Sequence, residues 1–175
     1  FTFGRGEGAP GTAPGQPTWR ELDELYRFQE IASDWPVYAV IGTPIGHSLS
    51  PLMHNTGMKA AGLKGVYLPL KIEGPPEPVL NTLVRAGLQG VSITIPHKEA
   101  VMRIEMEKDP VARQVGAVNT LYRRTDRKPL WYGMNTDAIA AADSLVAVSG
   151  SLDGKNVAIL GAGGAARAVA FGVKQ

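Results

Sequence analysis

Val91-Ser92-Ile93-Thr94-Ile95-Pro96-His97-Lys98 is a short apolar run, alternating with hydroxyls, that stops at a proline where a helical segment opens. The same order of apolar run, breaker and helical segment precedes it twice, at residues 37–41 then 51–61 and at 66–72 then 78–85. After the third run the helical segment reads as residues 98–106. Runs this short and this rich in Val, Ile and Leu are buried strands, and a helix between each pair is the crossover that parallel strands require. The repeat predicts an α/β fold: an open, mostly parallel sheet with crossover helices.

Toward the C-terminus the rhythm changes. Asp109 caps a short helix with Pro110 in its first turn, where a missing N–H costs nothing. Residues 118–122 and 130–133 flank the turn-rich Thr125-Asp126-Arg127-Lys128-Pro129 and predict an antiparallel hairpin. An Ala-rich helix over 137–146 and a Ser-Gly-Ser linker at 149–151 lead to a last strand at 156–160, followed by a glycine-rich turn and a helix.

Toward the N-terminus, residues 1–17 carry Gly4, Gly6, Gly8, Pro10, Gly11, Pro14, Gly15 and Pro17, a loop or lid after the short Phe1-Thr2-Phe3 run. Thr18 and Glu21 form a capping box, and Leu22, Leu25 and Tyr26 share a face of a helix predicted to run to about Glu30. Asp34, Trp35 and Pro36 end it. The chain opens on Phe1 rather than Met and stops at Gln175 inside a helical pattern, so it reads as a piece of a longer protein. Its units are expected at 1–36, 37–150 and 151–175.

The 175 residues suffice for a buried core. Lys and Arg number 18 against 16 Asp and Glu, a net charge of +2 without a run of like charge, which argues against a nucleic-acid partner. No apolar run approaches the ~18 residues of a membrane span. The absence of cysteine excludes disulfides, thiolate nucleophiles and Cys-ligated zinc. The three histidines, His47, His54 and His97, lack metal-ligand spacing, and no metal is expected.

In the stretch from Val91 to Lys98, alternation puts Ser92, Thr94 and, if extension continues, Lys98 on the side opposite Val91, Ile93 and Ile95. Such a face is either solvated surface or, at the carboxyl end of a strand, the wall of a ligand crevice. A lysine there can donate a proton to a forming alkoxide if a carboxylate fixes it. Asp137 is the available carboxylate, with helix N-cap as its alternative role. If Arg123 pairs near Leu130, Asn119 lies opposite Met134, so Asn119 and Asp137 leave the hairpin at the same end. Asn119 is then either a ligand-binding amide or a turn former. Ser50, before Pro51, is a good helix N-cap, and with Ser48 beside a helix N-terminus it also makes a cradle for a carboxylate. Gly46-His47-Ser48-Leu49-Ser50 lacks the final glycine of a serine-nucleophile turn.

Gly161-Ala162-Gly163-Gly164-Ala165-Ala166 fits the dinucleotide fingerprint and sits between the predicted strand and a helix. The alternative is a tight turn without ligand. Arg167 could add positive charge near a phosphate.

Five stretches, beginning at Gly42 (with Ser48-Leu49-Ser50-Pro51), Ser92 (to Lys98), Gly116 (with Asn119), Asn135-Thr136-Asp137 and Gly161, together resemble shikimate dehydrogenases in order and spacing. The resemblance implies a substrate-binding domain followed by the opening of an NADP domain. It also implies that Ser48 and Ser50 hold the substrate carboxylate, that Thr94, Asn119 and Asp137 bind ring hydroxyls, and that Lys98 handles the proton. Gly161 to Ala165 would hold the NADP diphosphate. A shikimate dehydrogenase transfers hydride from NADPH to the ketone of 3-dehydroshikimate. Quinate dehydrogenase and an inactive substrate-binding module are the alternatives. Phe1-Thr2-Phe3-Gly4 with Thr12-Ala13-Pro14-Gly15-Gln16 is similar to the end of a type I 3-dehydroquinate dehydratase, with Thr12 where Ser is usual. That order resembles the plant-type bifunctional enzyme and implies a plastid. The dehydratase's lysine and histidine would precede Phe1.

Overall fold

The computed structural model describes residues 4–13, 15–128 and 130–174. The Phe1-Thr2-Phe3 run, Pro14, Pro129 and Gln175 lie outside the described residues. One six-stranded sheet has the order β2-β1-β3-β5-β6-β4. Its strands are β1 (Val37–Gly42), β2 (Val66–Lys71), β3 (Leu88–Ile93), β4 (Met106–Lys108), β5 (Thr120–Arg123) and β6 (Trp131–Met134). Among these, β5 alone runs antiparallel, pairing with β3 and β6. The expected mostly parallel sheet with one hairpin is what forms.

Helix α1 (Ser50–Ala60) carries the chain from β1 to β2, and α2 (Pro76–Arg85) carries it back across β1 to β3. The chain therefore reverses direction across the sheet between β1 and β3, the position where open α/β sheets leave a crevice at their carboxyl ends. Alternation places Ala39 and Ile41 in the main core with Leu80 of α2, while Val40 packs with Tyr67, Ile45 and Met58 on the α1 side. Gly42 ends β1 where a Cβ would lie 2.8 Å from the Ile95 carbonyl oxygen, so only glycine lets the two strand ends close up. Peptide bonds Thr43–Pro44 and Ile95–Pro96 are cis.

Several local expectations shift. The capping box forms, with the Thr18 amide 2.6 Å from the Glu21 carboxylate and the Glu21 amide 3.1 Å from the Thr18 hydroxyl. Its helix, however, is a π-helical turn over Glu21–Leu25 that stops well short of Glu30. Arg27 adopts a left-handed φ of 52°, because its guanidinium is drawn inward to the carbonyls of Leu63 and Gly65. Ser50 is not an N-cap: Leu49 holds that position, and the Ser48 hydroxyl accepts from the Ser50 amide at 3.3 Å. The helix expected over 98–106 is only α3 (His97–Ala100) and a 3-10 turn over Val101–Arg103, since Ile104 is extended and Met106 enters β4 beside Trp131. Helix α4 (Pro110–Val115) follows, with Asp109 accepting from the Ala112 amide at 2.6 Å. The hairpin is slipped by one residue from the expected register, with Arg123 opposite Trp131 and Thr120 opposite Met134.

Helix α5 (Asp137–Ser149) extends past residue 146 and absorbs the first residue of the expected linker. Residues 156–160 form no strand: among the described residues nothing pairs with them, and the Leu160 side chain is fully exposed. Helix α6 (Gly164–Gly172) packs along α5, where a Cβ on Gly172 would overlap the Ala138 carbonyl. Ahead of the sheet, Leu22 and Tyr26 pack against Val66. The Gly4–Gln16 loop closes on itself, with the Arg5 guanidinium donating to the carbonyls of Gln16 and Ala9.

Candidate active site

Lys98 lies in the first turn of α3, directly after β3, and Asp137 is the first residue of α5, directly after β6. Both strands point to the same sheet edge, so folding brings Lys98 Nζ to 2.6 Å from Asp137 Oδ2. The pair is partly buried, with 20% and 32% of the two side chains exposed. Asn119 donates from Nδ2 to Asp137 Oδ1 at 2.7 Å and to the Thr136 hydroxyl at 2.8 Å, while its Oδ1 accepts from the Thr120 hydroxyl at 3.0 Å. One carboxylate oxygen thus serves the lysine and the other serves the amide.

Asp137 is free for this because it does not cap its own helix. Thr136 is at the N-cap position, and the fully buried Asn135 does the capping: its Oδ1 accepts from the amides of Asp137 at 3.1 Å and Ala138 at 3.3 Å. Asn135 Nδ2 donates to the Ala117 carbonyl at 3.0 Å, which ties the end of β6 to the segment leading into β5. On the other side, the Val118 amide donates to the Lys98 carbonyl at 2.9 Å. The lysine and the acid are therefore held by backbone as well as by each other.

The second half of the site lies toward β2. Ser50 begins α1 and Ser48 stands two residues before it, while Thr94 follows β3 with its amide donating to the Ile41 carbonyl at 3.0 Å. Beside them is Tyr67 of β2, for which no motif in the sequence stands out; its hydroxyl donates to Ser92 Oγ at 2.7 Å and is hydrogen-bonded to Ser50 as well. Burial pushes the Tyr67 phenol up from its ordinary pKa, and the bonds to Ser92 and Ser50 oppose that rise. Ser92 is paired with Thr120 across the β3–β5 ladder, so the two halves adjoin. His97 faces away from the site, buried with Nε2 3.0 Å from the Ile72 carbonyl oxygen.

Gly161 takes φ 118°, turning the chain sharply ahead of α6, with Gly163 at the N-cap. A Cβ on Gly163 would meet nothing within 4 Å, and the first turn of α6 holds no acidic residue, so there is room for an anion at this helix start and no carboxylate in that turn to repel it. The turn fits a diphosphate. Gly164 is buried instead: a Cβ there would sit 3.0 Å from Ala117 and 3.4 Å from Lys98 Cβ, which seats α6 against the lysine segment. Arg167 points away from the turn, pairing with Glu99 at 2.9 Å and donating to the Gly116 carbonyl at 3.3 Å.

Residues 40–121 match the family model for the shikimate dehydrogenase substrate binding domain. The bifunctional 3-dehydroquinate dehydratase/shikimate dehydrogenase, chloroplastic, of Arabidopsis thaliana is 39% identical over 100% of this chain and 31% of its own length. A shikimate dehydrogenase (NADP(+)) of Syntrophobacter fumaroxidans is 48% identical over 79% of this chain and 47% of its own. A crystal structure of a shikimate dehydrogenase in complex with NADP+ superposes with a TM-score of 0.74 at 39% identity, over 82% of this chain and 49% of that one. The chain thus spans about half the length of single-activity relatives, 47% in the Syntrophobacter case. At residues 40–121 the chain matches the substrate binding domain of shikimate dehydrogenases, and in sequence and fold it is similar to members of that family.

Proposed function

We propose that this chain is the substrate-binding part of an NADP-dependent enzyme that reversibly reduces 3-dehydroshikimate to shikimate. The observation that carries the reading is the Lys98–Asp137 pair, 2.6 Å apart and braced by Asn119, beside a row of hydroxyls at the sheet edge. NADPH, when bound, supplies the hydride. Lys98 Nζ gives a proton to the ketone oxygen, so that hydride and proton together complete one hydroxyl, and Asp137 holds the ammonium in line. Ser48 and Ser50, at the start of α1, receive the ring carboxylate. Thr94, Asn119 and Asp137 take ring hydroxyls. Gly161, Ala162, Gly163, Gly164 and Ala165 hold the cofactor diphosphate; Arg167 can join them only by leaving Glu99.

Residues 37–150 are the substrate unit and 151–175 the opening of the dinucleotide unit. Residues 1–36 are the end of a dehydratase, as in a plant-type bifunctional enzyme of the plastid. What supports this is the Arabidopsis relative, which aligns along all of the chain. Thr12 and Gln16 would be remnants of that site, and here their side chains bond to each other at 3.1 Å. No helix among the described residues is long and apolar enough to cross a membrane.

Quinate carries one more hydroxyl on the carboxylate-bearing carbon and needs more room beside the serines. The side chains at Ser50 and Thr94 favour shikimate. Calorimetric titration of the 175-residue chain tests the reading. Shikimate should bind, quinate more weakly, and NADP+ without measurable heat, because residues 156–160 have no sheet to join. Tighter binding of quinate would reassign the substrate, and no binding of either acid would sink the proposal.

A further inference from the structure

We infer that Tyr67 is a positioning residue for the substrate carboxylate, acting through the hydroxyl of Ser92. The inference rests on the shikimate reading above and concerns a residue outside the recognised motifs.

Tyr67 is locked from every side. Asn55 of α1 clamps its peptide group, with Oδ1 accepting from the Tyr67 amide at 2.9 Å and Nδ2 donating to the Tyr67 carbonyl at 2.8 Å. The same Nδ2 donates to the Pro51 carbonyl at 2.8 Å, in the first turn of α1. The His54 ring stacks on the Tyr67 ring at 4.3 Å between centroids and 17° between planes. Helix α1 is thus fastened to Tyr67 by Asn55 at the main chain, by His54 at the ring and by Ser50 at the hydroxyl. The side chain is only 4% exposed, and its hydroxyl reaches across β1 to Ser92 on β3.

Proton bookkeeping gives this geometry a consequence. Each of the three hydroxyls owns one proton. A phenol is protonated at neutral pH, and that of Tyr67 donates to Ser92 Oγ at 2.7 Å. Ser92 then keeps its own proton and must spend it elsewhere. Ser92 shares its strand face with Thr94, two residues on, and a carboxylate held between Thr94 and Ser50, which only accepts, needs such donors. A donor aimed before binding spares the ligand the cost of ordering it.

The test is calorimetry on the 175-residue chain with shikimate and with its methyl ester, which keeps the ring but not the charge. Tyr67→Phe retains the stacked ring and should weaken shikimate about tenfold or more, the range of a hydrogen bond to a charged group, while the ester changes little. Ser92→Ala should give the same carboxylate-selective loss, and adding Tyr67→Phe to it should cost nothing further. Unchanged shikimate affinity in either variant, equal loss for both ligands, or additive losses would overturn the role. Failure of the unsubstituted chain to bind shikimate would instead overturn the proposed function and this role with it.

Discussion

Lys98 and Asp137 stand 39 positions apart in the chain and 2.6 Å apart in space, each on the helix that follows one of two parallel strands, β3 and β6, that do not pair with each other. Strand β5 lies between β3 and β6, and Asn119 at its start bridges the gap by bonding to Asp137 while its backbone oxygen accepts from the Ile93 amide at 2.7 Å. The antiparallel turn-back of β5 is what puts the start of one strand beside the ends of two others. A purely parallel sheet would leave Asn119 at the opposite edge.

Replacing the donor separates chemistry from binding. In an enzyme with a complete dinucleotide domain, Lys98→Ala should lower kcat by about 10²–10⁴, the usual worth of a positioned general acid, with KM for shikimate changed little. Asp137→Asn should lower kcat and raise KM together, since the residue bonds to Lys98 and, in the function proposed, also takes a ring hydroxyl. Steady-state kinetics on the two variants reads the split; near-normal turnover in Lys98→Ala removes that residue from the mechanism.

Asn135 predicts a stability effect from a side chain that never meets substrate. Its Oδ1 caps α5 and its Nδ2 holds Ala117. Asn135→Ala strips a buried carbonyl and two helix amides of their partner and should cost about 2–4 kcal/mol, combining the loss of a cap with unsatisfied buried groups. Thermal unfolding measures it. A loss below about 0.5 kcal/mol, the scale of an ordinary surface change, would mean the cap is dispensable.

The strands of the α/β repeat, the Asp109 cap and the meeting of Asn119 with Asp137 were all legible in the sequence, because each rests on a local pattern: an apolar run, a capping residue, a hairpin. What was not legible depends on partners distant in sequence. Residues 156–160 look like a buried strand, yet a strand exists only beside another, and none of the described residues pairs with them. Helix pattern at 98–106 lost to the pull of β6 on Met106, and the one-residue slip in the hairpin came from a turn whose geometry residue types alone did not fix. Tyr67 went unnoticed for the same reason: in the sequence it is one more aromatic in a strand, and its hydroxyl acquires meaning only when β1 and β3 line up beside it.

Gly42→Ala should damage the site through backbone crowding. The added methyl would lie 2.8 Å from the Ile95 carbonyl oxygen and overlap the Thr94 side chain. A main-chain oxygen cannot swing aside as a flexible side chain can, so the ends of β1 and β3 must part. An overpacking cost of about 1–3 kcal/mol is expected, together with weaker shikimate binding as Thr94 moves. Melting temperature and calorimetric affinity should fall together; a variant with unaltered affinity would show that Thr94 does not contact the ligand.

Acid should loosen the molecule at the β4 edge of the sheet. Glu107 on β4 bonds to the buried guanidinium of Arg124, which follows β5, and Arg127 stands 3.9 Å from the same carboxylate. The Arg124 hydrogen bond, reinforced by the charges of Arg124, Arg127 and Arg113, holds the Glu107 carboxyl below its ordinary value of 4.5. A carboxyl with a depressed folded pKa binds fewer protons folded than unfolded, so its contribution to stability is complete above 4.5 and is lost as pH falls through the lower, folded value. Protonation also takes the carboxylate partner from Arg124, which is 8% exposed, leaving it its hydrogen bond to Tyr122 and its stacking on Tyr132 at 4.5 Å. Glu107→Gln should therefore be less stable than the unsubstituted chain at neutral pH and lose less stability on acidification below 4.5, the two curves converging toward acid. Urea unfolding at a series of pH values reads both limbs. Parallel curves would show that the Glu107–Arg124 pair adds nothing to the acid sensitivity of the fold.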